Sequence, residues 1–295
     1  MKVGFIGVGN MGGPMCRNII KRSNHQVTVF DLNAAAVKTC TDLGATAGKS
    51  VAEVTKGADV VMTSLPMPKD VEKVTLGDGG ILANIAKNQT YIDLSTNAPS
   101  MVKKIGAAMA AKGIAMLDAP VSGGTSGAEA ATIAIMVGGD KKVFDDALPV
   151  LQSFSANVIH MGELGTGTVA KLVNNMLAFC NAAAAAEGLM LGVTAGLDPK
   201  KLIQVVSSSS GNSNAFKNVS ERALSGEFTA SFALDLAYKD LHLALELGDE
   251  LGVPLQQGAS THNLQRLARG MGLGSKDSSS VLRVYETALG RTIKR

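Results

Sequence analysis

The stretch Lys2-Val3-Gly4-Phe5-Ile6-Gly7-Val8-Gly9-Asn10-Met11-Gly12-Gly13-Pro14 opens the chain and decides its fold. Five strand-type residues run straight into Gly7, Gly9 and Gly12, spaced G-x-G-x-x-G, and a helical pattern begins at Pro14. The first glycine permits a tight turn, the second lets backbone approach a pyrophosphate, and the third lets helix and strand pack closely. Free N–H groups and the macrodipole at that helix start favour an anion. A second strand pattern, Gln26–Phe30, ends in Asp31. That is about 20 residues past the loop, where a carboxylate bonds the ribose hydroxyls of a dinucleotide. A glycine turn alone says little; strand, loop, helix and acid in this order make a dinucleotide site. Gly7, Val8, Gly9, Asn10, Met11, Gly12 and Asp31 are its expected cofactor contacts. A 2′-phosphate beside Asp31 would be repelled, and Leu32 and Asn33 supply no Arg, so NAD is favoured over NADP.

Outward from this loop, apolar runs recur at residues 60–65, 91–94, 115–117, 133–137 and 158–159, separated by helical patterns such as 14–22 and 101–112. Several runs are continuously apolar, as strands covered on both faces require. Repeated strand–helix–strand units predict a doubly wound, mostly parallel α/β sheet of the Rossmann type with right-handed crossovers. After Gly162 the pattern changes to helix only, over 168–191, 199–206, 213–224, 233–251, 255–269 and 278–289. The alanine run 182–186 serves either close helix approach or plain helix propensity. The expected organisation is a NAD-binding domain over 1–162 and an all-α substrate and oligomerisation domain over 163–295. One long interdomain helix joins them, with the active site expected in the cleft between the halves.

Composition narrows the function. With 46% hydrophobic and 18% charged residues in 295, disorder is excluded. Aromatics are 4% with no Trp, which argues against an all-β sandwich and against a stacking surface for single-stranded nucleic acid. The net charge of +3 comes from scattered basic residues, so no nucleic-acid partner is expected. Arg291, Lys294 and Arg295 read as a solvated end. Cys16, Cys40 and Cys180 form no C-x-x-C pair, which favours a reducing compartment. No run of about 20 apolar residues is evident, so no membrane span is expected. The N-terminus opens into a strand with no cleavable signal, giving an expectation of a cytoplasmic or organelle-matrix protein. His25, His160, His242 and His262 show no metal-ligand spacing, and no metal is expected. His242 stands three residues from Lys239 on one helix face and reads as filler rather than as a site residue.

Three further segments carry chemistry. Asp118-Ala-Pro-Val-Ser122-Gly123-Gly124 follows a strand at its carboxyl end, where open α/β sheets bind ligands. Ser122 and the N–H groups of Gly123 and Gly124 could cradle a carboxylate. Lys171 and Asn175 stand four apart at the start of the long helix and share one face. Lys239-Asp240 places a second lysine mid-helix among apolar residues. Taken singly, each lysine reads as solvated or snorkelling.

Together with Leu65-Pro66 and Asp93-Leu-Ser-Thr96, these segments make the chain resemble the β-hydroxyacid dehydrogenase family over essentially its whole length. That group contains 3-hydroxyisobutyrate dehydrogenase and tartronate semialdehyde reductase. The resemblance implies Lys171 as catalytic lysine with Asn175 as the amide that helps hold the substrate. It implies Ser122, Gly123 and Gly124 as the carboxylate loop, Leu65, Pro66 and Thr96 as cofactor contacts, and Lys239 near nicotinamide and substrate. It also implies a homodimer or homotetramer. Reversible hydride transfer between NAD and a 3-hydroxy acid follows, with Lys171 exchanging the hydroxyl proton. A free lysine near ~10.4 is a poor base at neutral pH, so burial and a second cation at Lys239 are expected to lower it. The expected substrate is 3-hydroxyisobutyrate-like. Tartronate semialdehyde, 2-(hydroxymethyl)glutarate and succinic semialdehyde stay open, because the segment 207–216 lacks the Arg and Trp associated with 3-hydroxyisobutyrate enzymes. A catalytically silent NAD-binding protein would lack Lys171 or Asn175; both are present.

Overall fold

The computed structural model describes residues 1–293; Lys294 and Arg295, read above as part of a solvated tail, lie outside the described residues. Nine strands form one sheet: β1 (Lys2–Ile6), β2 (Gln26–Phe30), β3 (Thr46–Ala47), β4 (Val60–Thr63), β5 (Thr90–Asp93), β6 (Ala115–Asp118), β7 (Val121–Ser122), β8 (Ala134–Gly138) and β9 (Asn157–Gly162). Helices α1 (Gly12–Arg22), α2 (Ala34–Thr41), α3 (Val51–Lys56), α4 (Pro68–Leu76), α5 (Ile81–Asn84), α6 (Pro99–Ala111), α7 (Gly124–Ala130) and α8 (Lys141–Gln152) lie between them. Then follow α9 (Thr166–Thr194), α10 (Pro199–Ser207), α11 (Asn214–Ser225), α12 (Leu234–Leu251), α13 (Gln256–Gly270), a 3₁₀ turn at Ser278–Val281 and α14 (Leu282–Leu289).

The strand order is β3-β2-β1-β4-β5-β6-β8-β7, with β9 beside β8. The first six run parallel, as the alternating pattern predicts, and β8 is antiparallel to β6 and β7. Side chains alternate between two cores. Val3, Phe5, Met62, Ile92 and Leu117 pack with Met15 and Ile19 of α1, whereas Ile6, Val61, Tyr91 and Met116 pack with Val102, Ile105 and Met109 of α6. Burial on both faces is why these strands read as unbroken apolar runs. Strands β3 and β7 escape the sequence reading because two residues are too few to show a period.

Register does the functional work. Ile6 pairs with Phe30 and Thr63, Thr63 with Asp93, and Asp93 with Asp118. The carboxyl ends of five parallel strands therefore share one row. The segments that follow them (Gly7, Asp31, Leu65, Thr96 and Ser122 among their residues) leave from one sheet edge, where open α/β sheets bind ligands.

The chain divides into two compact units, Met1–Lys171 and the remainder from Leu172. In the second unit, Ala183, Ala185, Ala186, Leu189 and Met190 of α9 pack with Phe216 and Val219 of α11, Leu234 of α12 and Leu264 of α13. The alanine run is thus packed core, its small side chains admitting neighbouring helices. Helix α9 also corrects the expectation that no segment is long and apolar enough to cross a bilayer. It is 29 residues long and contains an 18-residue window of mean hydropathy 1.5, which meets that description by length and composition. The same apolarity builds the core of the helical unit.

Candidate active site

The glycine loop is built as the sequence requires. Gly7 adopts φ +89° and donates its N–H to the Phe30 carbonyl at 2.9 Å, which turns the chain out of β1. A Cβ at Gly12 would fall on the Gly7 carbonyl, so only glycine lets α1 start this close to the strand. Gly9 faces open space on its Cβ side. Met11, the residue before α1, makes no side-chain capping bond, so the first-turn N–H groups of α1 have no side-chain cap there. Asp31 accepts the Val8 N–H at 2.8 Å and the Asn33 N–H at 2.8 Å. The acid expected to meet a ribose also pins the loop to β2, an anchoring role the sequence did not disclose. An open glycine cradle, an uncapped helix start and a carboxylate with spare lone pairs fit a dinucleotide.

Leu65 and Pro66 follow β4 and Thr96 follows β5; the Leu65 N–H donates to Ser95 Oγ at 2.9 Å, joining the two loops. Ser122 ends β7, paired with Ala134 of β8. Gly123 has φ +140° and Gly124 φ +67°, and α7 begins there without a side-chain cap. Two left-handed glycines at an uncapped helix start present backbone N–H groups, as a carboxylate cradle needs.

Asp118 ends β6, 1% exposed. Its Oδ1 accepts the Gly165 N–H at 2.7 Å and its Oδ2 the Thr168 N–H at 2.6 Å, so it caps α9 from a distant strand. Burial raises its pKa, and the two N–H bonds pull the other way. A Cβ at Gly138 would strike the capping carboxylate and one at Gly167 the Met136 and Asp118 carbonyls, which explains both glycines. The capped helix carries Lys171 and Asn175 on successive turns, each 6% exposed. Asn175 Nδ2 donates to Asp240 Oδ2 at 2.6 Å, and Lys239 Nζ lies 3.0 Å from Asp240 Oδ1. Asn174 Nδ2 donates to Asn175 Oδ1 at 3.1 Å. Asp240 therefore ties Asn175 to Lys239 and fixes which end of the Asn175 amide donates. One turn further along α9, Phe179 stacks on Phe232 with ring centroids 6.0 Å apart.

Sequence reasoning missed the roles of Asp118 and Asp240. Their hydrogen-bond donors Gly165, Thr168 and Asn175 lie 47, 50 and 65 residues away, beyond any local spacing rule. His242 stacks on His262 at 5.5 Å and faces Glu246 at 3.4 Å, a packing role. Burial and the neighbouring His242 lower the His262 pKa to about 4, so that ring stays neutral at physiological pH.

Comparison with known proteins now adds to this geometry. The family model for the NAD-binding domain of 6-phosphogluconate dehydrogenase matches residues 2–162. The model for the NAD-binding region of NADP-dependent 3-hydroxyisobutyrate dehydrogenase matches residues 165–285. The chain is 42% identical to a 2-(hydroxymethyl)glutarate dehydrogenase of Eubacterium barkeri, over 99% of this chain and 97% of that one. It is 41% identical to a 3-hydroxyisobutyrate dehydrogenase of Pseudomonas aeruginosa, over 96% and 98% of the two chains. A solved 3-hydroxyisobutyrate dehydrogenase from Mycobacterium tuberculosis, with L-serine, superposes with a TM-score of 0.87 at 31% identity, covering 96% of this chain and 98% of that one. The chain belongs to the β-hydroxyacid dehydrogenase family, oxidoreductases that use NAD(P) and act on the CH–OH group of hydroxy acids.

Proposed function

We propose that this protein is an NAD-dependent dehydrogenase of a 3-hydroxy acid, most similar in substrate to 3-hydroxyisobutyrate, working reversibly between the alcohol and its semialdehyde. The observation that carries the reading is the pair Lys171 and Asn175 on successive turns of a helix capped by Asp118, with Asn175 locked to Lys239 through Asp240. Gly7, Val8, Gly9, Asn10, Met11 and Gly12 hold the diphosphate, Asp31 the ribose, and Leu65, Pro66 and Thr96 the remainder of the dinucleotide. When bound, the dinucleotide supplies the hydride acceptor or donor. Ser122 with the Gly123 and Gly124 N–H groups holds the substrate carboxylate, which orients the reacting carbon. Lys171 takes the hydroxyl proton during oxidation and returns it to the developing alkoxide during reduction. Asn175 and Lys239 hold the substrate oxygen; the second Nδ2 proton of Asn175 is the neutral donor for this.

NAD is preferred over NADP because Asp31 places a fixed carboxylate at the ribose edge. The 42% identical relative keeps 2-(hydroxymethyl)glutarate as the second substrate reading. Family resemblance extends the proposal to a homodimer or homotetramer in the cytoplasm or an organelle matrix, which light scattering and localisation of the tagged chain check. Steady-state NADH assays on a panel of 3- and 4-hydroxy acids, with Lys171→Ala beside wild type, test the reading. Lys171→Ala is expected to lower kcat by roughly 10²–10⁴-fold with NADH affinity within about twofold. Full kcat in that variant would sink the assignment of Lys171.

A further inference from the structure

At the carboxyl ends of β4 and β5 lies a polar cluster buried in the sheet. Asp93, 1% exposed, accepts the Thr63 hydroxyl at 2.9 Å and the Ser95 N–H at 3.1 Å on Oδ1, and Asn97 Nδ2 at 3.2 Å on Oδ2. Donor directions follow from these contacts. Thr63 spends its one hydroxyl proton on Asp93 and therefore accepts from Tyr91 at 2.8 Å; Tyr91 in turn accepts from Thr75 at 3.1 Å. Ser95, held by its own N–H on Asp93, accepts the Leu65 N–H on Oγ at 2.9 Å.

No cation pairs with Asp93 among the described residues, and a buried carboxylate compensated only by neutral donors is costly. An apolar residue at this strand end would fold at lower cost. What the carboxylate adds is an anchor: it fixes the Ser95 N–H and the Asn97 side chain, and so holds in place the residue whose Oγ accepts the Leu65 amide.

We propose that Asp93 is a positioning residue for the dinucleotide, acting through Ser95 to lock the loop at Leu65 and Pro66 against the loop at Thr96. The role rests on the reading of Leu65, Pro66 and Thr96 as cofactor contacts. Asp93 itself touches neither cofactor nor substrate in this scheme; it presents the backbone that does.

Three variants separate positioning from plain stability. Asp93→Asn keeps the shape, loses the charge and sets an amide against the Asn97 amide. Ser95→Ala removes only the link to Leu65. Tyr91→Phe removes a hydroxyl from the far side of the same cluster. NADH binding is measured by fluorescence titration, amide exchange at Leu65 by NMR in the free protein, and Tm alongside. Asp93→Asn and Ser95→Ala are expected to weaken NADH binding about tenfold, the order of one lost hydrogen bond, and to speed Leu65 exchange by a similar factor. Tyr91→Phe is expected to lower Tm with NADH affinity within about twofold of wild type. Wild-type affinity and wild-type Leu65 exchange in folded Ser95→Ala overturn the proposal, as does an equal loss of NADH binding in Tyr91→Phe. If the wild-type protein binds neither NADH nor NADPH, the functional reading fails, and Leu65 exchange in the free variants decides the positioning role by itself.

Discussion

Asp118→Asn perturbs the structure at the point where strand β6 is coupled to the helix bearing Lys171. The side chain keeps its volume, so no cavity forms. One acceptor is replaced by an N–H₂ group facing the N–H of either Gly165 or Thr168. Leaving that buried donor unsatisfied costs about 1–3 kcal/mol. Losing a negative charge at a helix N-terminus costs ~1 kcal/mol more. Against this, the variant escapes the cost of ionising a buried carboxyl whose pKa burial has raised. The net is about 2–3 kcal/mol, or roughly 4–10 °C in the Tm of a domain of this size. Lys171 stands one turn past Thr168, so a frayed first turn displaces it. A 1 Å shift can cost on the order of 10²-fold in rate, so kcat is expected to fall more than NADH affinity. Thermal unfolding by circular dichroism and NADH-linked kinetics read both effects. The pH dependence has a definite sign. A carboxyl with raised native pKa contributes fully below its unfolded value of about 3.9 and loses that contribution as pH climbs through the native value. The stability gap between wild type and Asp118→Asn is therefore widest in mild acid and narrows toward neutrality. A Tm within about 1 °C of wild type with unchanged kcat refutes the capping argument, and a gap that widens with rising pH refutes the raised native pKa of Asp118.

Other outcomes follow from the same geometry. Gly12→Ala forces a methyl onto the Gly7 carbonyl and is expected to lower Tm by several degrees (roughly 2 kcal/mol or more) and to abolish NADH binding by titration. Asp31→Ser removes the carboxylate at the ribose edge and one anchor of Val8; NAD is expected to lose about tenfold or more in kcat/KM while NADP gains relative to it. An unchanged NAD to NADP ratio would show that Asp31 does not set the preference. Asp240→Asn frees Asn175 and leaves Lys239 without its buried counter-charge; kcat is expected to drop about 10-fold or more, with Tm lower by a few degrees. Wild-type kinetics in that variant would remove Asp240 from the site's support.

The arrangement of elements was open to a reader of the sequence because each signal is local. Gly7 and Gly12 encode a turn that only glycine can make, and Gly9 leaves it open. Continuous apolar runs encode strands buried on both faces, and the helical period after Gly162 encodes the second half. Helical spacing puts Lys171 and Asn175 on one face, but only the family resemblance marks them as site residues, since a lysine at a helix start reads by itself as solvated. Strands β3 and β7 were not legible, since two residues are held in a strand by their neighbours and not by their own pattern.

The sequence by itself determined that a dinucleotide loop opens the chain and that one helix presents a lysine and an amide together. Tertiary structure alone decided what holds them. Asp118 caps α9, Asp240 joins Asn175 to Lys239, Asp93 ties the end of β4 to the loop after β5, and Asp31 pins the glycine loop. Three of these carboxylates are almost fully buried. The physical reason is that a buried acid must find its donors wherever the fold delivers them. Parallel register and long crossovers bring Val8, Thr63, Gly165, Thr168 and Asn175 to these acids from tens of residues away, at separations where sequence spacing carries no signal.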